Sequence, residues 1–189
     1  MTKRTAQVVI RNNTSNPIVA VGVVHKYSDD YRHEGNWGIV MPGQVTEEKM
    51  DVEYNTGFLT TGRDWWTVTW YSPDMKKYYY SAPENFRDIF DAVESVAPDV
   101  IISAAIALSA LATGGAATVP AAAAAAAVSK ATTNQLLNSE GTSGFKQHIL
   151  REEDEEEITE IVINDDGSIV FKSKSGNSET GYNSKDVNV

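Results

Sequence analysis

Residues 65–71 read Trp-Trp-Thr-Val-Thr-Trp-Tyr, seven positions without a charge, a glycine or a proline. Aromatic and β-branched residues fit a pleated, half-buried surface, so this run commits the chain to a sheet. Side chains alternate across a strand. Trp66, Val68 and Trp70 therefore share one face, which reads as structural core. Trp65, Thr67, Thr69 and Tyr71 share the other, which reads as a polar surface with an aromatic at each end.

The flanking sequence supplies partners for that strand. Gln7–Arg11, Ile18–Tyr27, Trp37–Met41, Glu47–Tyr54 and Tyr78–Ser81 have strand character, with Asn, Ser, Pro and Gly turn signals between them. Val19, Val21 and Val23 face one way and Ala20, Gly22 and Val24 the other, the pattern of a central strand. Gly22 marks a bulge or a close backbone approach. Tyr27–Trp37 reads as a long polar loop with three aromatics, a length often tied to function. Near the end, Glu157–Asn164 and Ser168–Lys174 flank the hairpin turn Asp165-Asp166-Gly167. The last dozen residues are poor in apolar side chains and are expected to be loosely ordered. Together these strands predict an antiparallel sandwich or barrel.

Between the two β regions the period changes. Ser81-Ala82-Pro83-Glu84 fits a capping box, and Phe86, Ile89, Phe90, Val93 and Val96 follow at helical spacing. Pro98 ends that helix. Asp99 can cap a second, running to about Thr113 before Gly114-Gly115, and Thr118 with Pro120 opens a third that reaches about Asn138. No charged residue lies between Asp99 and Lys130. The large aliphatics of residues 100–119 contribute only about −3 kcal/mol to membrane insertion, opposed by Gly, Ser and Thr. Gly114-Gly115 and Pro120 also cut the stretch into pieces shorter than a span. Two readings follow: a helical hairpin covering the sandwich, or a segment that enters or lies on a membrane. The expected organisation is one α+β domain. Residues 1–81 form its first β part, 82–150 a helical insertion with an Ala-rich hairpin at 99–139, and 151–189 an acidic loop, a closing hairpin and a tail.

The chemistry the chain can carry is limited. Acidic residues number 26 against 16 basic, a net charge of −10. That balance argues against a nucleic-acid partner and against simple attraction to anionic lipid. There is no cysteine, which excludes thiol nucleophiles and Cys-type zinc sites. With no apolar run behind the basic N-terminus, no classical signal peptide is read; a cytoplasmic protein, or one secreted without such a signal, is expected. Arg151–Glu157 reads as a solvated acidic loop. His25, His33 and His148 lack metal-pair spacing. His25 is expected to be packed or paired with a carboxylate, and His33 with Asp29, Asp30 and Glu34 is the candidate for a cation, against ordinary loop polarity. Thr61-Gly62-Arg63-Asp64 lacks the lysine of a phosphate loop and reads as a turn in which Asp64 ties down backbone. No nucleophile elbow marks a serine. No catalytic residue, metal or cofactor is expected. Tyr27, Tyr31, Trp37, Trp65 and Tyr71 are the candidate ligand-binding residues, for a lipid interface, a sugar or a protein partner, unless loops or the insertion cover them.

A family resemblance rests on particular residues. The order Val8-Val9-Ile10-Arg11-Asn12-Asn13-Thr14, Val23-Val24-His25-Lys26-Tyr27, Trp37, Pro42-Gly43, Tyr54-Asn55-Thr56-Gly57-Phe58 and Gly62-Arg63-Asp64-Trp65-Trp66 resembles the domain of nematode proteins up-regulated in long-lived Daf mutants (PUD proteins), also met in fungi. The match spans about residues 6–81, and more loosely 157–173. The resemblance implies an aegerolysin-like β-sandwich related in shape to actinoporins. It also implies no enzymatic activity, relatives that bind membrane lipids and in some cases act with pore-forming partners, and pairing into homo- or hetero-oligomers. The insertion at 82–150 departs from the compact pattern, and can either cover a lipid face or supply a membrane-active element. The expected function is thus that of a non-enzymatic, aegerolysin-like binding protein for lipid or membrane, or of a toxin-like one. A soluble dimeric interaction module and a carbohydrate-binding sandwich are the alternatives.

Overall fold

A computed structural model describes residues 1–27, 31–57, 64–83, 91–139, 142 and 144–187. Its strands are β1 (Thr2–Asn13), β2 (Ile18–Lys26), β3 (Arg32–Val40), β4 (Met50–Thr56), β5 (Trp65–Tyr71), β6 (Lys77–Ser81), β7 (Lys146–Gln147), β8 (Ile158–Asn164), β9 (Ser168–Ser173) and β10 (Gly176–Asp186). They join in the order β3-β2-β5-β6-β10-β9-β8-β1-β4, with β7 added to β5. β10 turns the corner of this path. Its residues 176–181 pair with β9 and its residues 182–186 pair with β6. The two path ends then meet through side chains. Trp37 of β3 donates its indole N–H to the Glu48 carbonyl just ahead of β4 (2.9 Å), and the Tyr27 hydroxyl reaches Asn55 O of β4 (3.1 Å). The sheet is nearly closed and barrel-like.

Its interior is the face anticipated from alternation. Trp66 and Val68 are wholly buried and Trp70 nearly so, packed with Ile10, Val21, Val23, Ile161, Ile163, Ile169 and Phe171 from facing strands. Each such side chain contributes about 1.5–3 kcal/mol relative to exposure. β2 is buried on both faces along its whole length, as expected of a central strand.

The opposite face of β2, β5 and β6 is covered by a second core under helices α1 (Pro98–Ala112) and α2 (Val119–Asn138). Among the described residues these are the two full helices, preceded by a helical turn at residues 91–94. Pro98 is the first residue of α1, so the cap position falls on Ala97 and Asp99 lies within the first turn rather than capping it; the Thr118 hydroxyl caps α2 by accepting from the Ala121 amide (3.4 Å). α2 lies directly on β2 and β3. That approach explains both its alanines and the glycines beneath it. A Cβ on Gly38 would stand 2.1 Å from the Ala122 carbonyl oxygen, and one on Gly22 would stand 2.4 Å from Thr133 Cγ2. Gly22 also follows an irregularity in the β2–β5 register, so both readings of that glycine hold. The Ser129 hydroxyl donates to Val21 O (2.7 Å) and the Thr133 hydroxyl to Asn36 Oδ1 (2.8 Å), which stitches helix to sheet. At the C-terminal end of α2, where helix carbonyls lack partners, the buried Lys26 ammonium donates to Ser139 O (2.8 Å).

Several sequence expectations are corrected. The sheet is not wholly antiparallel: β1 pairs parallel with β8. These strands lie far apart in sequence, so no tight turn dictates their direction. The polar segment before Trp37 is strand from Arg32 onward, because its backbone pairs with β2. The supposedly loose tail is β10. Its polar sequence is held by ladders to β9 and β6, which need no apolar side chains. Ser81 is not a helix cap. It ends β6, fully buried, and its hydroxyl accepts from the Val68 amide (3.0 Å). Glu84, Phe86, Ile89, Phe90 and the turn residues Phe58–Arg63 lie outside the described residues, as do Asp29 and Asp30.

Candidate functional site

The five candidate aromatics do not form a surface. Tyr71 is fully buried under α2, where its hydroxyl meets Thr132 Oγ1 (3.4 Å), and burial pushes that hydroxyl up to about 12. Trp37 and Tyr27 are buried at the β3–β4 seam, with Tyr31 packed beside them against the inner core. Trp65 is half-buried against the helical layer. The physical reason is shared: the insertion covers the outer face of β5, and the closing seam covers the rest. Tyr71, Tyr27 and Trp37 are therefore structural rather than exposed, and Trp65 and Tyr31 are only partly accessible.

What sequence spacing missed is the convergence of the three histidines at one end of the sheet, His25 and His148 against Trp66 and His33 against His25. His25 and Asp64 are both buried, with Nε2 2.9 Å from Asp64 Oδ1. His25 Nδ1 faces His33 Nδ1 at 3.4 Å, and His33 Nε2 lies 4.0 Å from Glu53 Oε2. The Trp66 ring centroid lies 4.1 Å from His25 and 6.5 Å from His148. Asp64 does the tying expected of it. Its Oδ2 accepts from the Leu150 amide (2.9 Å) and its carbonyl from the His148 amide (3.1 Å), while the Trp66 indole donates to His148 O (2.9 Å). These bonds pin residues 148–150 across one end of the sheet. Burial, helped by the neighbouring His25 imidazole, holds His33 down at about 4; burial dominates for His148, also at about 4, against the opposing pull of Asp154 and Asp64. Both are neutral at pH 7.

This cluster has the parts of an acid–base relay, yet His25 is fully buried and its second partner is another imidazole rather than a nucleophile. His33 and Glu34 do not form a cation site together. They point to opposite faces of β3, and Glu34 accepts from Thr133 under the helix (3.0 Å). Among the described residues no group of three or more His, Asp or Glu is placed to hold a metal. The acidic loop is solvated as expected except for Asp154. That buried carboxylate accepts from the Arg151 amide (2.7 Å), the Ser175 amide (2.8 Å) and the Ser175 hydroxyl (2.6 Å).

The exposed apolar surface lies elsewhere. α1 buries Ile101, Ala104, Leu108 and Leu111 and turns Ile102 (46% exposed) and Ile106 (70%) outward. Val119, at the start of α2, is 83% exposed. Between them run Ser, Ala, Thr and Gly, without one charge from residue 100 to 129. A solvated helical face ordinarily carries charges. No described helix is long and apolar enough to cross a membrane.

A family model described as Up-Regulated in long-lived daf-2 matches residues 2–182. No curated protein matches the chain at a significant level.

Proposed function

Because this chain belongs to the family up-regulated in long-lived daf-2, we propose that it is a non-enzymatic binding protein with an aegerolysin-like sheet, whose helical hairpin docks on uncharged lipid surface. The observation that carries this reading is the charge-free outer face of α1 and the hairpin tip. Ile102, Ile106 and Val119 together expose the equivalent of about two aliphatic side chains, so their transfer into lipid is worth roughly 3–6 kcal/mol. That supports reversible attachment to the interface, not a span. The 15 residues of α1 reach only about 22 Å, short of a hydrocarbon core of about 30 Å. With a net charge of −10, the surface is suited to zwitterionic rather than anionic lipid.

Co-sedimentation with phosphatidylcholine vesicles tests the reading. Wild type is expected in the pellet, and the double variant Ile102→Ser, Ile106→Ser is expected to bind at least about tenfold less. Absence of wild-type protein from the pellet refutes it. So does a light-scattering result in which the double variant only splits a dimer and leaves vesicle binding unchanged.

A further inference from the structure

The end of the sheet opposite the histidine cluster carries a groove of about 190 Å³, lined by Trp70, Tyr79 and Tyr182 together with Thr14, Asn16 and Asp165. It sits at the mouth of a barrel-like sheet, where small ligands commonly bind. Its aromatic wall is built by strand register. Trp70 and Tyr79 are directly opposed on β5 and β6 and stack with centroids 5.2 Å apart and planes within 4°. Tyr182 of β10 stands across them, 4.9 Å from Trp70 at 76° and 6.0 Å from Tyr79 at 79°. Its hydroxyl is fixed by Asn164 O (3.0 Å). The result is a rigid right-angled aromatic corner in which Tyr79 and Tyr182 keep part of their surface exposed.

The polar groups at this corner are not fully used. The indole N–H groups of Trp37 and Trp66 both donate to carbonyls, whereas that of Trp70 has no partner among the described residues. Asp165 spends one carboxylate oxygen on the Ser15 amide (2.8 Å), and the Asn16 amide nitrogen reaches Ser15 Oγ (3.3 Å). The second Asp165 oxygen and the Asn16 side-chain oxygen have no partner among the described residues. An aromatic face beside one indole donor and two free acceptors matches a ring with apolar C–H faces and equatorial hydroxyls. The volume is below the roughly 300 Å³ of pockets for drug-sized molecules, so a single ring fits and a folded chain does not.

From this geometry we infer that the groove is a binding site for one neutral sugar residue, independent of the lipid-docking hairpin. The ring packs its C–H face on the Tyr79–Tyr182 corner, its hydroxyls donate to Asp165 and Asn16, and one ring oxygen accepts from the Trp70 indole.

Saturation-transfer NMR tests the inference with the methyl glycosides of glucose, galactose, mannose and N-acetylglucosamine. At least one is expected to show saturable transfer to its ring C–H protons. Asp165→Ala and Asn16→Ala, both at exposed positions, are expected to weaken it about tenfold each, and Tyr79→Ala to abolish it in a protein whose circular dichroism is unchanged. Should Tyr79→Ala unfold the chain, the two exposed variants still decide. Silence with all four glycosides overturns the inference, as does binding that Asp165→Ala and Asn16→Ala leave intact. Tighter binding of tetramethylammonium than of any glycoside would make the groove a cation box and also overturn it. Vesicle binding should be the same in all three variants, so this site and the hairpin fail or stand separately.

Discussion

The two histidines held neutral make stability fall on mild acidification. His33 and His148 sit at about 4 in the folded chain, against roughly 6.5 when unfolded. Their folded values are depressed, so the unfolded chain binds more protons between pH 6.5 and 4. Stability is fully present above pH 6.5 and is lost as pH falls toward 4. The gap between about 4 and roughly 6.5 corresponds to at most ~3.4 kcal/mol per histidine. His148 is 4% exposed and approaches that figure, whereas the His33 side chain is 19% exposed and is screened to about 2 kcal/mol. These sums compare with a total stability of about 5–15 kcal/mol for an ordinary domain. The assay is urea unfolding at pH 7.5, 6.5, 5.5 and 4.5, on wild type and His148→Gln. Carboxylates titrate in the lower part of this window in both proteins, so the difference between the two isolates the imidazole. His148→Gln is expected to be less stable at pH 7.5, through lost packing on Phe171 and the lost bond to Ser178 Oγ. It should then lose about 2–3 kcal/mol less than wild type down to pH 4.5. Parallel pH profiles would refute the claim that this ring is folded in its neutral form.

Other substitutions test the packing. Asp64→Ala strands a buried His25 and frees the Leu150 amide, and is expected to cost about 3–5 kcal/mol by denaturant midpoint. Gly38→Ala places a methyl against the Ala122 carbonyl and should cost about 1–3 kcal/mol by thermal melting. A neutral Gly38→Ala would mean that α2 does not lie on β3. Tyr71→Phe removes one long bond to Thr132 inside a covered core and is expected to change stability by less than about 1 kcal/mol and vesicle binding not at all.

The sheet was legible where a strand had one apolar face or two. Alternation at 66, 68 and 70 identified the core side of β5, and unbroken burial of β2 followed from its valines. Thr118 marked the start of α2 through its own capping hydroxyl, and Pro98 marked a helix boundary, although it opens α1 and Asp99 does not cap it. β10 and the first half of β3 were not legible, because backbone ladders and a few scattered side-chain contacts, not an apolar face, hold their polar sequences. Whether Trp65 and Tyr71 are exposed could not be read from their strand for a different reason. A single strand cannot report that an element some 50 residues later will cover its second face. The uncharged stretch held the needed clue: alanine at 121 and 125 and glycine at 22 and 38 are the residues that let a helix lie close on a sheet. The histidine cluster escaped detection because it depends on register between β2 and β3 and on the return of residue 148, not on spacing along the chain.

The absence of cysteine allows a direct test of where the molecule meets lipid. Ile106→Cys and, on the far side of the sheet, Lys172→Cys each provide one thiol for an environment-sensitive fluorophore. With phosphatidylcholine vesicles added, the label at position 106 is expected to shift to the blue and brighten, while the label at 172 stays unchanged. No change at 106, or equal changes at both positions, would contradict the assignment of the helical hairpin as the lipid-docking face.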